Sequence, residues 1–357
     1  VRPPRATIYI APVAENEDVL VSVENGVGQL TLNRPKAINS LTHGMVTTIG
    51  EALHAWENDD AVHTVLLSGA GERGLCAGGD VIALYHSAKA GGADARRFWF
   101  EEYQLNAYIG GYPKPYVSLL DGIVMGGGVG VGAHGDVRIV TDTTKMAMPE
   151  VGIGFIPDVG GTYLLSRAPG ALGLHAALTG APFSGADAIA MGFADHYVPH
   201  EKLDDFTTTL IADGVEAALA AHAVQPPEST LLAQRDWIDE CYAGDSVADI
   251  VAALRAHGAK PAADAADLIE TRSPIALAVA LESVRRAARL DTLEDVLRDE
   301  YRVSCESLRS HDFVEGIRAQ LVDKDRNPKW SHSSVAEVTE ADVAAYFQPV
   351  ETELTFP

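Results

Sequence analysis

Cysteine is scarce in this chain: Cys76, Cys241 and Cys305 are the only three in 357 residues, and none forms a CxxC pair. That excludes a disulfide framework and a thiolate zinc site. It fits a reducing cytoplasm in which each thiol is a small buried hydrophobe. Positive charge is short as well. Lys and Arg total 27 against 50 Asp and Glu, a formal net charge of −23, so the basic footprint that nucleic-acid binding requires is missing. A phosphorylated small ligand stays compatible if local Lys, Arg or helix N-termini meet it. No run approaches the roughly 18 uninterrupted apolar residues of a membrane-spanning helix. The opening VRPPRATIYIAPVAEN has no long apolar core and no small-residue cleavage site, so residues 1–17 read as an arm rather than a secretory signal. HExxH, Walker A and GxSxG motifs are absent. One GxGxxG match, GVGAHG at 130–135, runs almost at once into strand-like VRIVT, whereas a dinucleotide fingerprint opens a long crossover helix.

What is present is an α/β pattern. DVLVSVENGVGQLTLN at 18–33 sets two β-rich runs around Asn25-Gly26, a hairpin signal. Met45, Ile49, Leu53 and Trp56 recur at helical spacing and predict a helix over 44–57. HTVLLSGAG at 63–71 reads as a buried strand, PYVSLLDGIVMGGG at 115–128 as one strand running into a loop, and VRIVTD at 137–142 as a further strand. From about residue 200 Ala- and Leu-rich helical segments take over. The expected division is an α/β core over 18–205 and a helical region over 206–357, with GAKPAADAAD at 258–267 as a loop.

Chemistry concentrates in three stretches: GAGERGLCAGGDV at 69–81, DGIVMGGGVGVGAHGD at 121–136 and MPEVGIGFIPDVGGTYLLSR at 148–167. Two glycine-rich turns each follow an apolar strand. If they meet in space, each aims a backbone N–H at one point, the arrangement of an oxyanion hole. The second turn is expected to open a short helix whose dipole adds to the polarisation.

These stretches resemble the crotonase (enoyl-CoA hydratase/isomerase) superfamily. NRPKAINSL at 33–41 is similar to its first substrate loop, LCAGGD at 75–80 to its first oxyanion turn and MGGGVG at 125–130 to its second. The resemblance implies a spiral of ββα units and a thioester carbonyl held between the N–H groups of Gly79 and Gly127. It also implies backbone contact with coenzyme A around Lys36, Ala37 and Ile38, and trimers or trimer pairs. An appended helical region offers an alternative to those homo-oligomer contacts. Hydratases of the superfamily use two glutamates. Here the first of those positions is Gly130, which cannot move a proton, and the second is Glu150. Asp158 stands where typical hydratases have glycine. The Glu150/Asp158 pair, FEEYQLN at 100–106 and DEYRVSCESLRSHDFVEGIRAQLVDKDRNPKW at 299–330 resemble the branch that hydrolyses 3-hydroxyisobutyryl-CoA. That branch implies thioester hydrolysis in valine breakdown, with no cofactor beyond the coenzyme A of the substrate. Glu150 would attack the carbonyl or activate water. Asp158 would orient water or the substrate hydroxyl, or shuttle a proton.

Glu102 matches a substrate-contacting glutamate of that branch; its alternative is an exposed helix carboxylate beside Glu101. Arg34, Lys36 and Arg73 are candidate counter-charges for the phosphates. His63, His86 and His134 have no ligand spacing and read as structural or exposed, and Phe98, Trp99 and Phe100 as core or pocket wall. Two other readings stay open: an enoyl-CoA hydratase or isomerase, and a non-catalytic acyl-CoA-binding protein.

Overall fold

Asn25 and Gly26 both adopt positive φ, 47° and 80°, as a two-residue hairpin turn demands. They join β1 (Val19–Glu24) to β2 (Val27–Leu32) in antiparallel register. The computed structural model describes residues 17–357, so the arm expected at 1–17 lies outside them except for its last residue. The strands that follow are β3 (Thr64–Gly69), β4 (Tyr116–Leu120), β5 (Ile123–Met125), β6 (Val137–Val140), β7 (Lys145–Ala147), β8 (Phe183–Ser184) and β9 (His196–Tyr197). One sheet has the order β1-β2-β3-β4-β6-β9, parallel from β2 onward, and a second has the order β5-β7-β8.

Side-chain alternation makes the larger sheet bury both faces. Leu66, Val117 and Ile139 pack beneath Phe206 and Leu210 of the helix Leu203–Asp213. Val65, Leu67, Tyr116 and Val140 point the other way into the main core. There α1 (His43–Glu57) contributes Met45, Ile49, Leu53 and Trp56, all buried, and Thr42 caps its first turn by accepting from the Met45 N–H. The site is framed by α2 (Val81–Lys89), α3 (Ala93–Gly110), α4 (Gly127–Gly132) and α5 (Gly161–Arg167).

Two expectations are corrected. Residues 115–128 are two strands, β4 and β5, in different sheets, because the chain turns at Gly122 (φ 58°) between them. Residues 258–267 are not a loop: Lys260–Glu270 is a helix. Gly258 at φ 81° ends the preceding segment, and Pro261 sits in the first turn, where no intrahelical N–H is required. Ala262, Ala265, Ala266 and Ile269 form one buried face; Gly and Pro signalled a break, but they punctuate the helix start.

Candidate active site

The two glycine turns meet because residues 74–76 lie along residues 122–124. The Cys76 N–H donates to Ile123 O at 3.1 Å and the Met125 N–H to Cys76 O at 3.0 Å. Gly78 turns its N–H inward onto Cys76 Sγ at 3.4 Å, and the Asp80 N–H goes to Leu41 O at 2.8 Å. The Gly79 N–H between them is not used by the turn. Gly127 is the first residue of α4, where N–H groups have no intrahelical acceptor. A Cβ on Gly127 would stand 3.2 Å from Gly79 N and 3.0 Å from Glu102 Oε1, so two amides and a carboxyl converge on one small space. With six residues, α4 builds little macrodipole, and the amides themselves carry the polarisation.

A cleft of about 830 Å³ opens here, and Lys36, Ala37, Ile38, Gly79, Glu102, Gly127, Glu150 and Asp158 all line it. The loop bearing Lys36 is tied down by buried Asn39, whose Nδ2 donates to Ala70 O, Gly74 O and Leu75 O at 3.0–3.2 Å. The Ala77 N–H returns to Ile38 O at 2.9 Å. Arg73 reaches the cleft, but Arg34 does not. Its guanidinium donates to Ser40 O at 2.6 Å and pairs with Asp80 at 3.4 Å, so it braces the loop instead of meeting a ligand. Phe98 and Trp99 form pocket wall, while Phe100 packs edge-on to Tyr301.

Glu102 is 2% exposed, Asp158 6% and Glu150 7%, which settles Glu102 as a cleft residue; Glu101 instead pairs outward with His43 and Arg97. Glu102 Oε1 and Glu150 Oε2 are buried without a protein hydrogen-bond partner. Burial, then the charge of Asp158, holds both carboxyls well above the usual carboxylate range. Asp158 is pushed up to about 7 by burial, against the hydrogen bond from Tyr103 that lowers it.

An acid whose pKa is higher folded than unfolded binds its proton more tightly in the native state. Its contribution to stability is therefore full at low pH and is lost as pH rises from the unfolded value of 3.8 to the folded value near 7. Thermal scans between about pH 5 and about pH 7.5 should show a pH-dependent loss of Tm that is smaller in Asp158→Asn. Identical pH responses in the two proteins would contradict the assignment.

Several site residues were not read from the sequence. Glu300, 2% exposed on the helix Leu293–Ser307, accepts from the Gly160 N–H (2.7 Å), the Thr162 N–H (3.0 Å) and the Thr162 hydroxyl (2.5 Å). It thereby fixes the loop that carries Asp158. Burial pushes the Glu300 carboxyl up to about 8 against those donors. His134, read as structural or exposed, braces the same loop: its Nε2 lies 2.8 Å from Val159 O, and desolvation lowers it to about 4, leaving the ring neutral. Val159 has φ 54°, a strained conformation for a β-branched residue. Phe313, Arg272, Gln320 and Lys324 line the cleft from the C-terminal half. The signal for Glu300 was available: it falls on the apolar stripe Val296, Leu297, Tyr301, Val303 of an amphipathic helix, where an unpaired charge is costly. Cys76, Cys241 and Cys305 are all free and buried. Among the described residues no group of three or more His, Cys, Asp or Glu is placed to hold a metal ion.

The sequence pattern of the enoyl-CoA hydratase/isomerase family matches residues 27–347. The chain belongs to this family. Within it, the chain is 40% identical over 345 residues to "3-hydroxyisobutyryl-CoA hydrolase, mitochondrial" of Danio rerio, covering 94% of this chain and 90% of that one. The human protein of the same name is 38% identical, covering 93% and 89%. Among solved structures, a carnitinyl-CoA dehydratase from Mycobacterium thermoresistibile superimposes with a TM-score of 0.94 at 79% identity, covering 96% of this chain and 99% of that one. An enoyl-CoA hydratase from Rhodobacter sphaeroides gives 0.91 at 41%, covering 95% and 100%. This enoyl-CoA hydratase/isomerase family member thus has the crotonase-like α/β fold with a helical C-terminal region, and its relatives' names divide between hydrolysis and hydration chemistry.

Proposed function

We propose that the chain is an acyl-CoA thioester hydrolase acting on 3-hydroxyisobutyryl-CoA, the step in valine breakdown that the sequence resemblance implied. One observation carries the choice between the relatives' chemistries. A Cβ at Gly130 would lie 2.7 Å from Val159 Cβ and 2.8 Å from Asn106 Nδ2, so the place of the first hydratase glutamate is filled. Asp158 supplies the second carboxylate from another direction.

The thioester oxygen accepts from the Gly79 and Gly127 N–H groups, which meet the negative charge that develops on it. Glu150 lies against Gly126, where a Cβ would be 2.9 Å from Glu150 Oε1, and so addresses the carbonyl carbon. In one route its carboxylate bonds to the acyl carbon, the C–S bond breaks and the thiolate takes a proton from Asp158. Water, deprotonated by Asp158, then opens the anhydride and frees Glu150. In the other route Glu150 takes the proton of the attacking water, the hydroxyl bonds to the acyl carbon, the C–S bond breaks and the thiolate takes that proton from Glu150. Glu102, whose carboxyl burial holds above the usual carboxylate range, hydrogen-bonds to the substrate hydroxyl. Lys36, Arg73, Arg272 and Lys324 at the cleft face the phosphates of coenzyme A, which is part of the substrate; no separate cofactor is invoked. The 18–205 core and the 206–357 helical region are our domain reading. The cytoplasmic assignment rests on the three free thiols; the curated relatives named above are mitochondrial by name, and no helix among the described residues is long and apolar enough to cross a membrane.

The 79% identity to a protein named a dehydratase supports a second reading, dehydration of a 3-hydroxyacyl-CoA. Incubation with 3-hydroxyisobutyryl-CoA, carnitinyl-CoA and crotonyl-CoA, with a thiol reagent present, separates the two. Thiol release from the first is expected. Dehydration or hydration without thiol release would overturn the hydrolase reading, and binding without turnover would leave an acyl-CoA-binding protein.

A further inference from the structure

Asp158 Oδ2 accepts a hydrogen bond from the Tyr103 hydroxyl at 2.6 Å. The same hydroxyl lies 2.7 Å from Ser304 Oγ, and Ser304 Oγ lies 2.9 Å from the backbone carbonyl of Glu300, to which it can donate. Tyr103 and Ser304 are buried. The row therefore holds two hydroxyl protons and ends in one fixed acceptor. With Asp158 ionised, Tyr103 donates to it. With Asp158 protonated, the carboxyl O–H donates to Tyr103, Tyr103 turns to Ser304, and Ser304 donates to Glu300 O. Each hydroxyl keeps its own proton, and no bond of the backbone moves.

From this geometry we infer that Tyr103 and Ser304 are positioning residues that let Asp158 alternate between acid and base during turnover, the Tyr103 hydroxyl turning between Asp158 and Ser304 while Ser304 donates to Glu300 O throughout. The inference deepens the proposed hydrolysis and rests on it for its use in turnover. A buried carboxylate that must change its charge gains from such a device. The titratable groups facing Asp158 are Glu102 and Tyr103 from α3, Glu150 from the turn Glu150–Ile153 and Glu300 from the helix Leu293–Ser307. Burial disfavours its charge, that charge in turn disfavours ionisation of the three carboxyls, and His134 beside it is neutral. Tyr103 is the donor that favours the charge, and Ser304 is the acceptor that lets this donor turn away.

The two residues therefore have opposite signatures. Tyr103→Phe removes the donor to the anion and should raise the Asp158 midpoint by about one pH unit, a tenfold loss of ionised form at fixed pH. Ser304→Ala leaves the Tyr103 hydroxyl without an acceptor only when Asp158 is protonated, so it should lower the midpoint, by roughly half a unit. In the Tyr103→Phe background Ser304→Ala should do nothing further. The readout is a pH titration of the protonated-carboxyl infrared band assigned by Asp158→Asn, beside the acid limb of kcat/KM for thioester hydrolysis. Shifts of the same sign, or a Ser304→Ala shift that persists without the Tyr103 hydroxyl, would overturn the relay. The infrared titration is independent of turnover. If the wild type releases no thiol while the opposite shifts appear, the substrate reading fails and the relay stands. Should Tyr103→Phe not fold, the sign of the Ser304→Ala shift alone decides.

Discussion

Glu150→Gln should lose thioester hydrolysis by roughly 10²–10⁴-fold in kcat, the size of a general acid–base contribution. KM should change little, because the side chain keeps its shape and Glu150 Oε2 has no protein partner to lose. The same substitution removes a buried carboxyl that burial and Asp158 already penalise. Its Tm should therefore not fall and should rise at neutral pH, the usual trade of stability against activity at such sites. The pairing of the two results is the test: thiol release measured on protein whose unfolding curve and coenzyme A affinity are intact. Unchanged turnover would mean that the base is another residue. Loss of turnover together with a collapse of Tm would mean that Glu150 holds structure.

The second large effect is expected at Gly130. Alanine in a helix interior is better than glycine by about 0.8–1.0 kcal/mol, so propensity alone favours Gly130→Ala. Packing opposes it. The new methyl would sit 2.7 Å from Val159 Cβ, and Val159 is already held at φ 54° between the His134 and Glu300 contacts of its loop. Overpacking of this kind costs about 1–3 kcal/mol and wins. Gly130→Ala should lower stability and displace Asp158, with a drop in kcat. Gly130→Glu should be worse, since it adds a charge beside Asn106 in a space with no room for it. It should not acquire crotonyl-CoA hydration, although it restores the family's two-glutamate sequence pattern. Urea unfolding and the crotonyl-CoA absorbance assay check both parts. A Gly130→Glu protein of unchanged stability that hydrates crotonyl-CoA would show that the slot is open.

Much of this site was legible because local rules govern it. Asn25-Gly26, the buried strand 64–69 and the glycine turns each announce their backbone conformation in a few residues. Spacing from Gly127 to position 130 and to Glu150 can be counted along the chain. What escaped was long-range or depended on packing. Arg34 looked like a free cation, and only the folded loop shows its guanidinium engaged by Ser40 and Asp80. For Glu102 the sequence leaves an outward orientation open, because one residue of helical phase separates it from Glu101; its burial on α3 distinguishes the two. Gly258 and Pro261 carry the same letters whether they break a chain or start a helix. The distinction lies in the alanine face that the helix Lys260–Glu270 buries.

The bonds from Glu300 to Gly160 and Thr162 span 140 and 138 positions of sequence, and Tyr103 reaches Ser304 across 201. During synthesis the glycine turns, Glu150 and Asp158 therefore leave the ribosome well before the helix that fixes their geometry. A nascent chain that has folded only its sheets carries the reactive groups without their alignment, and becomes competent only when the last third arrives. The same order makes the catalytic part non-transferable: excising residues 18–205 would move the acids and leave behind what aims them.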